Sequence, residues 1–466
     1  MKIKKIIAPN TYVILSVIIV LVAALSWVLP SGEFEREEIA GRSVVVQNSY
    51  HNVEGNPQSV YDIIMAPLKG FISAAEIIGF VLIVGGAFSV FKKTEAVDAA
   101  IKSIAKAHTN SKLVQKLLIP IFITIFSLAG AIFGMSEEII PFILIFVPMT
   151  ILIGYDSITG VAISFVGATV GFAGAFINPF TLGIAQGIAQ LPLNSGIVYR
   201  IISWCILTAA AIIYVQRYAN KIKADPSKSI MYEIDSKRKD KINTDSIENH
   251  DGLDKTHKIV LSAFLAGLIV LVFGVLQFKW FIQEMCAVFI VSGIIVGILG
   301  KLSAKEITDG FIEGGKDLIG TAFVIALAKG IFVVSSDGKI IDTILNALAY
   351  PISSLHPIIS SHAMLVTQSL INFFVPSGSG QAALTMPIMT PLADLVGVGR
   401  QTAVLAFQFG DGITNMIIPT SAITMGVLSL ANIPYEKWLR WMLPLFALLF
   451  ILALLLLIPP YFFNWV

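Results

Sequence analysis

Phe176-Ile177-Asn178-Pro179-Phe180-Thr181-Leu182-Gly183-Ile184 breaks an apolar run at a proline and then resumes it. Met416-Ile417-Ile418-Pro419-Thr420-Ser421-Ala422-Ile423-Thr424-Met425-Gly426-Val427 does the same about 243 residues later. Proline removes a backbone donor and frees a carbonyl one turn earlier, so each stretch reads as a helix broken in its middle. Outward from these breaks the spacing persists. Ser136 and Pro148 recur as Ser379 and Pro391, and Gly86, Phe88 and Asp98 as Gly330, Phe332 and Asp342. In a membrane chain, interrupted segments at matching places in two halves mark a transporter's binding site.

Composition agrees. The 466 residues are 56% hydrophobic and only 13% charged, too apolar for a soluble globule. Uninterrupted runs such as Tyr12 to Leu29 and Trp441 to Ile458 are long enough to cross a bilayer. The first of these follows Met1-Lys2-Ile3-Lys4-Lys5 and lacks a small-x-small cleavage pattern, so it reads as a retained span rather than a signal peptide. Cys205 and Cys286 each lie in an apolar segment, which predicts neither a disulfide framework nor a thiolate metal site. No nucleotide-binding P-loop, zinc spacing or nucleophile motif occurs, which argues against an ATP-driven pump or an intramembrane enzyme.

Spans are expected at 12–29, 77–91, 158–176, 197–214, 259–275, 285–299, 318–334, 402–418 and 438–458, with an external loop over 33–59 and a soluble loop over 221–255. Shorter apolar runs at 117–133 and 139–153 flank Gly134-Met135-Ser136-Glu137-Glu138, and runs at 363–375 and 382–395 flank Pro376-Ser377-Gly378-Ser379-Gly380-Gln381. Each pair reads as a re-entrant hairpin that enters and leaves on one side. With that threading Lys2, Lys4, Lys5, Lys92, Lys93, Lys102, Lys106, Arg217, Lys221, Lys223, the cluster around Lys237 with Lys241, Lys301, Lys305, Lys437 and Arg440 fall on one side. Arg36, Arg42, Lys69, Arg200, Lys279, Lys339 and Arg400 fall on the other. The asymmetry sets the N-terminus in the cytoplasm, and the two halves then run in opposite senses, with 259–275 supplying the odd crossing.

The expected fold is an all-α polytopic membrane protein with an inverted repeat, two re-entrant hairpins and two broken helices. Its parts are a first scaffold half (1–111), a first transport half (112–220), a cytoplasmic loop (221–255), a second scaffold half (256–357) and a second transport half (358–466).

The chemistry gathers at the tips and breaks. Two carboxylates at membrane depth cost about 2.5–3.5 kcal/mol each on insertion scales if unpaired. Ser136 can N-cap the half-helix with Glu137 and Glu138 in its first turn, which explains why acids are tolerated but not why there are two. Adjacent helical residues point about 100° apart, so one of them is expected to face the substrate. The tip Ser377, Gly378, Ser379, Gly380, Gln381 carries no charge and offers backbone N–H groups at a half-helix N-terminus, suited to a carboxylate. At the breaks, Asn178, Thr181, Asn415 and Thr420 with freed carbonyls can bind substrate or cation, and Asn178 and Asn415 form a candidate sodium site. Asp411 is a third buried acid, available to a cation or amine or to an internal hydrogen bond. Gln368 and Asn372, at i and i+4, can hydrogen-bond across helices. Lys329 sits inside a span where its repeat mate is Gly85.

Pro9-Asn10-Thr11-Tyr12, Trp27-Val28-Leu29-Pro30-Ser31-Gly32-Glu33-Phe34, Ser136-Glu137-Glu138, Pro376-Ser377-Gly378-Ser379-Gly380 and Gly410-Asp411-Gly412-Ile413-Thr414-Asn415 together resemble the YfcC branch of the DcuC-like carriers, within the ion transporter superfamily. The resemblance covers essentially the whole chain. It implies a homodimer in a bacterial cytoplasmic membrane, with a scaffold and a mobile unit working by elevator-like alternation. Members of that branch are described as basic amino-acid carriers, including arginine/ornithine exchangers; the wider family includes C4-dicarboxylate carriers. Dicarboxylate carriers of the superfamily bear Ser-Asn-Thr at both tips, and this chain has neither. A basic amino acid has a carboxylate for the tip at Ser377–Gln381 and a positive side chain for a glutamate. The expected activity is therefore arginine/ornithine-type exchange without a resident cofactor, with H+ or Na+ as the possible coupling ions. An ion-coupled C4-dicarboxylate or other amino-acid carrier is the alternative, and a channel, which would show unitary currents and no counter-exchange, is a third reading.

Overall fold

A computed structural model describes residues 11–39, 42–46, 49–239, 252–463 and 465. Lys2, Lys4, Lys5, Pro9, Asn10 and Lys241, used above for orientation and resemblance, lie outside the described residues, as does much of the 221–255 loop.

The chain is helical almost throughout, and eight of its described helices are long and apolar enough to cross a membrane. In order these elements are α1 (Thr11–Val28), α2 (Val60–Ser73), α3 (Ala75–Lys93), α4 (Ala96–Asn110), α5 (Lys112–Phe133), α6 (Ile143–Leu152), α7 (Ser157–Ala173), α8 (Leu182–Ile188), α9 (Ile197–Ala224) and α10 (Tyr232–Lys239). There follow α11 (Lys255–Phe278), α12 (Ile282–Leu299), α13 (Ala304–Asp317), α14 (Ile319–Asp337), α15 (Ile341–Ala349), α16 (Pro357–Phe374), α17 (Gly378–Leu395), α18 (Arg400–Thr414), α19 (Ala422–Leu430) and α20 (Tyr435–Leu456).

The broken helices are there: α7 stops at Ala173 and α8 resumes at Leu182, while α18 stops at Thr414 and α19 resumes at Ala422. Three features depart from the linear reading. The stretch after α1 folds into two antiparallel ladders, β1 (Gly32–Glu33) with β4 (His51–Asn52) and β2 (Arg36–Ile39) with β3 (Arg42–Val45). The helix α9 runs 28 residues, well past the expected end at 214, because its polar extension is packed. Several further helices, among them α2 and α13, had no counterpart among the expected spans. Those two are short and amphipathic, so an apolar window overlooks them.

These two helices begin alike. Ser59 and Asp62 form a capping box at the start of α2, and Ser303 and Glu306 do the same for α13, at the repeat spacing. Contacts group the chain into two compact units. The first comprises Met1–Ala74, Thr181–Gly196 and Phe323–Val466, and the second Ala75–Phe180 and Ile197–Ala322. In the first unit α2 lies on α14, so close at Gly70 that a Cβ there would stand 2.1 Å from the Ala326 carbonyl oxygen and 2.5 Å from the Gly330 nitrogen. In the second, α13 lies on α3, and a Cβ at Gly314 would stand 2.3 Å from the Gly85 carbonyl oxygen. Gly70 corresponds to Gly314 and Gly86 to Gly330, so each amphipathic helix crosses the long helix of the opposite half.

Without a hydrophobic drive between helices in lipid, such crossings depend on close backbone approach through small residues. Gly70→Val and Gly314→Val should each destabilise the purified protein by about 1–3 kcal/mol. Gly79→Ala, with nothing within 4 Å of the added atom, should leave thermal unfolding unchanged. Equal melting of all three variants would remove the crossing as a determinant of stability.

The same close approach through small residues recurs between two further helix pairs. In the second unit α5 packs along α7, where Gly130 faces the Ala168 carbonyl and Gly171 the Ser127 carbonyl. A π-helical turn over Ala162–Val166 interrupts α7 just before Gly167, which faces Ile123. In the first unit α16 packs along α18, with Gly410 against Gln368 and Leu365.

Candidate functional site

The first unit carries the helix α18, buried on every side from Gln401 to Thr414. Burying Asp411 there demands partners, since an isolated carboxylate is costly in an apolar surround. The Asn415 amide, one turn on, donates to Asp411 Oδ1 at 3.0 Å. From the neighbouring α16, Asn372 Nδ2 donates to the Asp411 carbonyl at 2.9 Å and to Thr414 Oγ1 at 2.7 Å. This is the cross-helix bonding that the Gln368/Asn372 spacing anticipates. Beyond the break, Thr424 Oγ1 donates to the Asn415 carbonyl, and Trp438 Nε1 to the Met416 carbonyl at 2.8 Å. The unwound backbone is thereby stitched to α19 and α20.

The remaining oxygens have no donor. Asp411 Oδ2, Asn415 Oδ1, Asn372 Oδ1, Gln381 Oε1 and Thr420 Oγ1 are all buried without a hydrogen-bond partner among the described residues. Buried acceptors are normally satisfied, so the three that lie together, on Asp411, Asn415 and Asn372, are suited to a positively charged or hydrogen-bond-donating guest. Repeat positions make the feature specific to the second half: Asn372, Asp411 and Asn415 correspond to Ala129, Ala168 and Phe172.

The turn before α17 is narrower than the sequence suggests. Ser377 is the N-cap, its hydroxyl accepting from Gly380 N at 3.4 Å and its carbonyl from Gln381 N at 2.7 Å. The Gln381 amide donates to the Gln368 carbonyl and to Gln368 Oε1, both at 2.8 Å, while Gln368 donates to Thr385 Oγ1 at 2.9 Å. These bonds lock the two arms together. The anion cradle reduces to the backbone N–H groups of Gly378 and Ser379, which lie in a first helical turn and have no intrahelical acceptor. Thr181, also of this unit, accepts from Gln408 Nε2 at 2.9 Å. Gln408 was missed by the linear reading, yet it sits three residues before Asp411 on the same helical stripe, a spacing that could have revealed it.

The second unit holds Ser136, Glu137, Glu138 and Asn178. The helix α5 ends in a left-handed Gly134 (φ 75°), and Ser136 leads into a 3-10 turn over Glu137–Phe142. This turn separates the two acids. Glu138 is buried, and its carboxylate reaches back to accept from Ser136 N at 2.8 Å. Glu137 is only partly buried. Asn178 is wholly buried against Gly134, where a Cβ would stand 2.7 Å from its amide oxygen. That oxygen accepts from Phe180 N at 2.9 Å, and the backbone N–H groups of Phe176, Ile177 and Asn178 all point to the Ala131 carbonyl. Asn178 thus secures the break beside the acidic turn. Of the two asparagines expected to hold a cation, Asn415 keeps its oxygen open, whereas the Asn178 oxygen is engaged.

Two charged residues find unexpected settings. Lys329 stands with its ammonium 4.8 Å from the centre of the Phe332 ring. Arg200, counted above on one membrane face, is wholly buried in the protein. No group of three or more His, Cys, Asp or Glu side chains able to hold a metal ion occurs among the described residues.

Residues 8–461 match the family described as DcuC, C4-dicarboxylate anaerobic carrier. Over 96% of this chain and 94% of the relative, the sequence is 35% identical to a protein of Escherichia coli (strain K12) named "Putative basic amino acid antiporter YfcC". An uncharacterized protein of Haemophilus influenzae is 27% identical, over 97% of this chain and 96% of that one. Among solved structures, the Alcanivorax borkumensis YdaH transporter aligns at 15% identity with a TM-score of 0.45, covering 96% of this chain and 98% of that chain.

Proposed function

This chain belongs to the DcuC carrier family and is a membrane transporter rather than an enzyme, and from that premise we propose that its cargo is a basic amino acid, exchanged in the arginine/ornithine manner. The observation that carries the reading is the surplus of buried oxygen acceptors around Asp411, together with two glutamates at the 134–138 turn. Both places are rich in acceptors, which suits a positively charged guest. The Gly378 and Ser379 amides supply a place for one carboxylate. A basic amino acid carries a carboxylate for those amides and cationic groups for the Asp411 acceptors, all within the first unit.

The oxygens of Asp411, Asn415 and Asn372 also have the chemistry to hold a proton or a sodium ion, so a coupling ion fits there without transition-metal ligands. Arginine and ornithine carry equal charge at neutral pH, and their exchange needs no such ion. The setting proposed is the bacterial cytoplasmic membrane with the N-terminus inside, as a homodimer. Segments 112–220 and 358–466, with their re-entrant hairpins, would move in elevator fashion against 1–111 and 256–357.

The family description favours a second reading, a C4-dicarboxylate carrier. The two separate in liposomes. With the reconstituted protein, internal ornithine should accelerate uptake of labelled arginine and external ornithine should compete with it, while succinate does neither. Acceleration by succinate and not by ornithine would overturn the amino-acid reading.

A further inference from the structure

Two segments of this chain belong to one half only, and each grips the returning arm of a hairpin pair. In the first half 31 residues separate α1 from α2, whereas α12 passes to α13 through only four. The extra residues hold the strands β1 to β4. They are bolted to the corner between α14 and α15. Arg36 Nη2 donates to both Asp342 oxygens, at 2.8 and 2.7 Å, and Phe34 N donates to the same carboxylate at 2.9 Å. Tyr50 meets Thr343 at 3.0 Å, and Gly32 N donates to the Lys339 carbonyl at 3.2 Å. From that anchorage β3 reaches across and packs against α17, the arm that returns from the Ser377–Gln381 turn. That arm contains Pro387 and Pro391, so its hydrogen-bond ladder is weakened and it can bend.

The second segment follows α9. Ser229 Oγ donates to Asp156 Oδ2 at 2.6 Å, beside Tyr218 OH on the same oxygen at 2.5 Å. Asp235 accepts from Ser157 N at 2.8 Å and from Arg238 at 3.1 Å. Asp156 and Ser157 form the corner between α6 and α7, and α10 packs against α6, the arm that returns from the Glu137–Glu138 turn. At the repeat position of Asp156 stands Gly399, an N-cap without a side-chain bond. Burial pushes the Asp235 carboxyl above its ordinary value, a cost tolerated where Ser157 N and Arg238 hold it.

From this geometry we infer that the two segments are straps, each restraining one hairpin arm and so setting how readily the turn at its tip is exposed. The inference rests on reading the pairs α5/α6 and α16/α17 as hairpins that gate a substrate path, and not on what the substrate is. A charge-assisted pair at a partly exposed site is worth about a fivefold change in an opening equilibrium.

The test uses full-length protein in detergent with Cys205 and Cys286 replaced by serine, and a maleimide as the probe. Ser379→Cys reports the second turn and Ser136→Cys the first. Arg36→Gln should speed labelling at Ser379→Cys about fivefold and leave Ser136→Cys unchanged; Asp235→Asn should do the reverse. If either variant fails to fold, Tyr50→Phe and Ser229→Ala remove one neutral bond of the same straps and should act in the same directions. Unchanged labelling at both turns, or equal acceleration at both, would overturn the inference. Because no substrate enters the assay, this failure is distinct from failure of the arginine/ornithine reading.

Discussion

Asp411→Asn abolishes exchange while the protein still folds: that is the expected result, and the surroundings of the residue say why. The variant keeps a side chain of the same shape, and its amide oxygen can still accept from Asn415. What it loses is the one negative charge among oxygens that otherwise lack donors. Removing one partner of a buried charge pair costs about 3–5 kcal/mol, or about two to four orders of magnitude in the occupancy of a cationic guest. Counterflow of labelled arginine against internal ornithine measures this directly. A thermal scan should show no loss of stability, because an empty buried carboxylate is itself costly and its neutral replacement relieves that cost. Exchange at the parental rate would remove Asp411 from the transport cycle.

The second large effect separates two neighbours. Glu138 is turned in and spent on the Ser136 backbone, so Glu138→Gln should weaken the turn, lowering thermal stability by about 1–3 kcal/mol as a charge-assisted bond becomes a neutral one. Glu137 is the more exposed of the pair and the better placed to meet a guanidinium or ammonium. Glu137→Gln should therefore cut arginine uptake by about a hundredfold with little change in melting. A 3-10 turn sets successive side chains about 120° apart, which is why adjacent acids can divide the work. Full uptake by Glu137→Gln with uptake lost only in Glu138→Gln would reverse the assignment. Full uptake by both would remove the acidic turn from substrate recognition.

Much of this was readable along the chain because it is local. A run of apolar residues long enough to cross a bilayer cannot be hidden, and α1, α3, α11, α12, α14 and α20 begin and end within a few residues of the expected limits. Proline removes a backbone donor in mid-run, and the gaps after α7 and α18 were expected at Pro179 and Pro419, although other helices such as α5, α17 and α20 run on through theirs. The amphipathic helices α2 and α13 were not, since their apolar faces are narrow and their capping serines lie outside any hydrophobic window. The β-ladders between α1 and α2 escaped for a related reason. Short strands held chiefly by Asp342 and Thr343, some three hundred residues away, leave little local pattern.

By itself, then, the sequence determined which runs are long and apolar enough to cross a membrane, where two of the helices break, that residues recur at a near-constant spacing and that the two turns differ in charge. These follow from hydrophobic length, from the missing proline donor and from residue identity, none of which needs a neighbour. Tertiary structure decided which of two acids turns inward, that the Gln381 NH2 group is engaged by Gln368, that Asn178 braces a break while Asn415 keeps an open oxygen, and that Gly70 and Gly314 lie against the long helices of the opposite half. Each of those outcomes depends on which buried donor meets which acceptor across helices far apart in the chain, and a buried group without a partner is too costly for that pairing to be left to local preference.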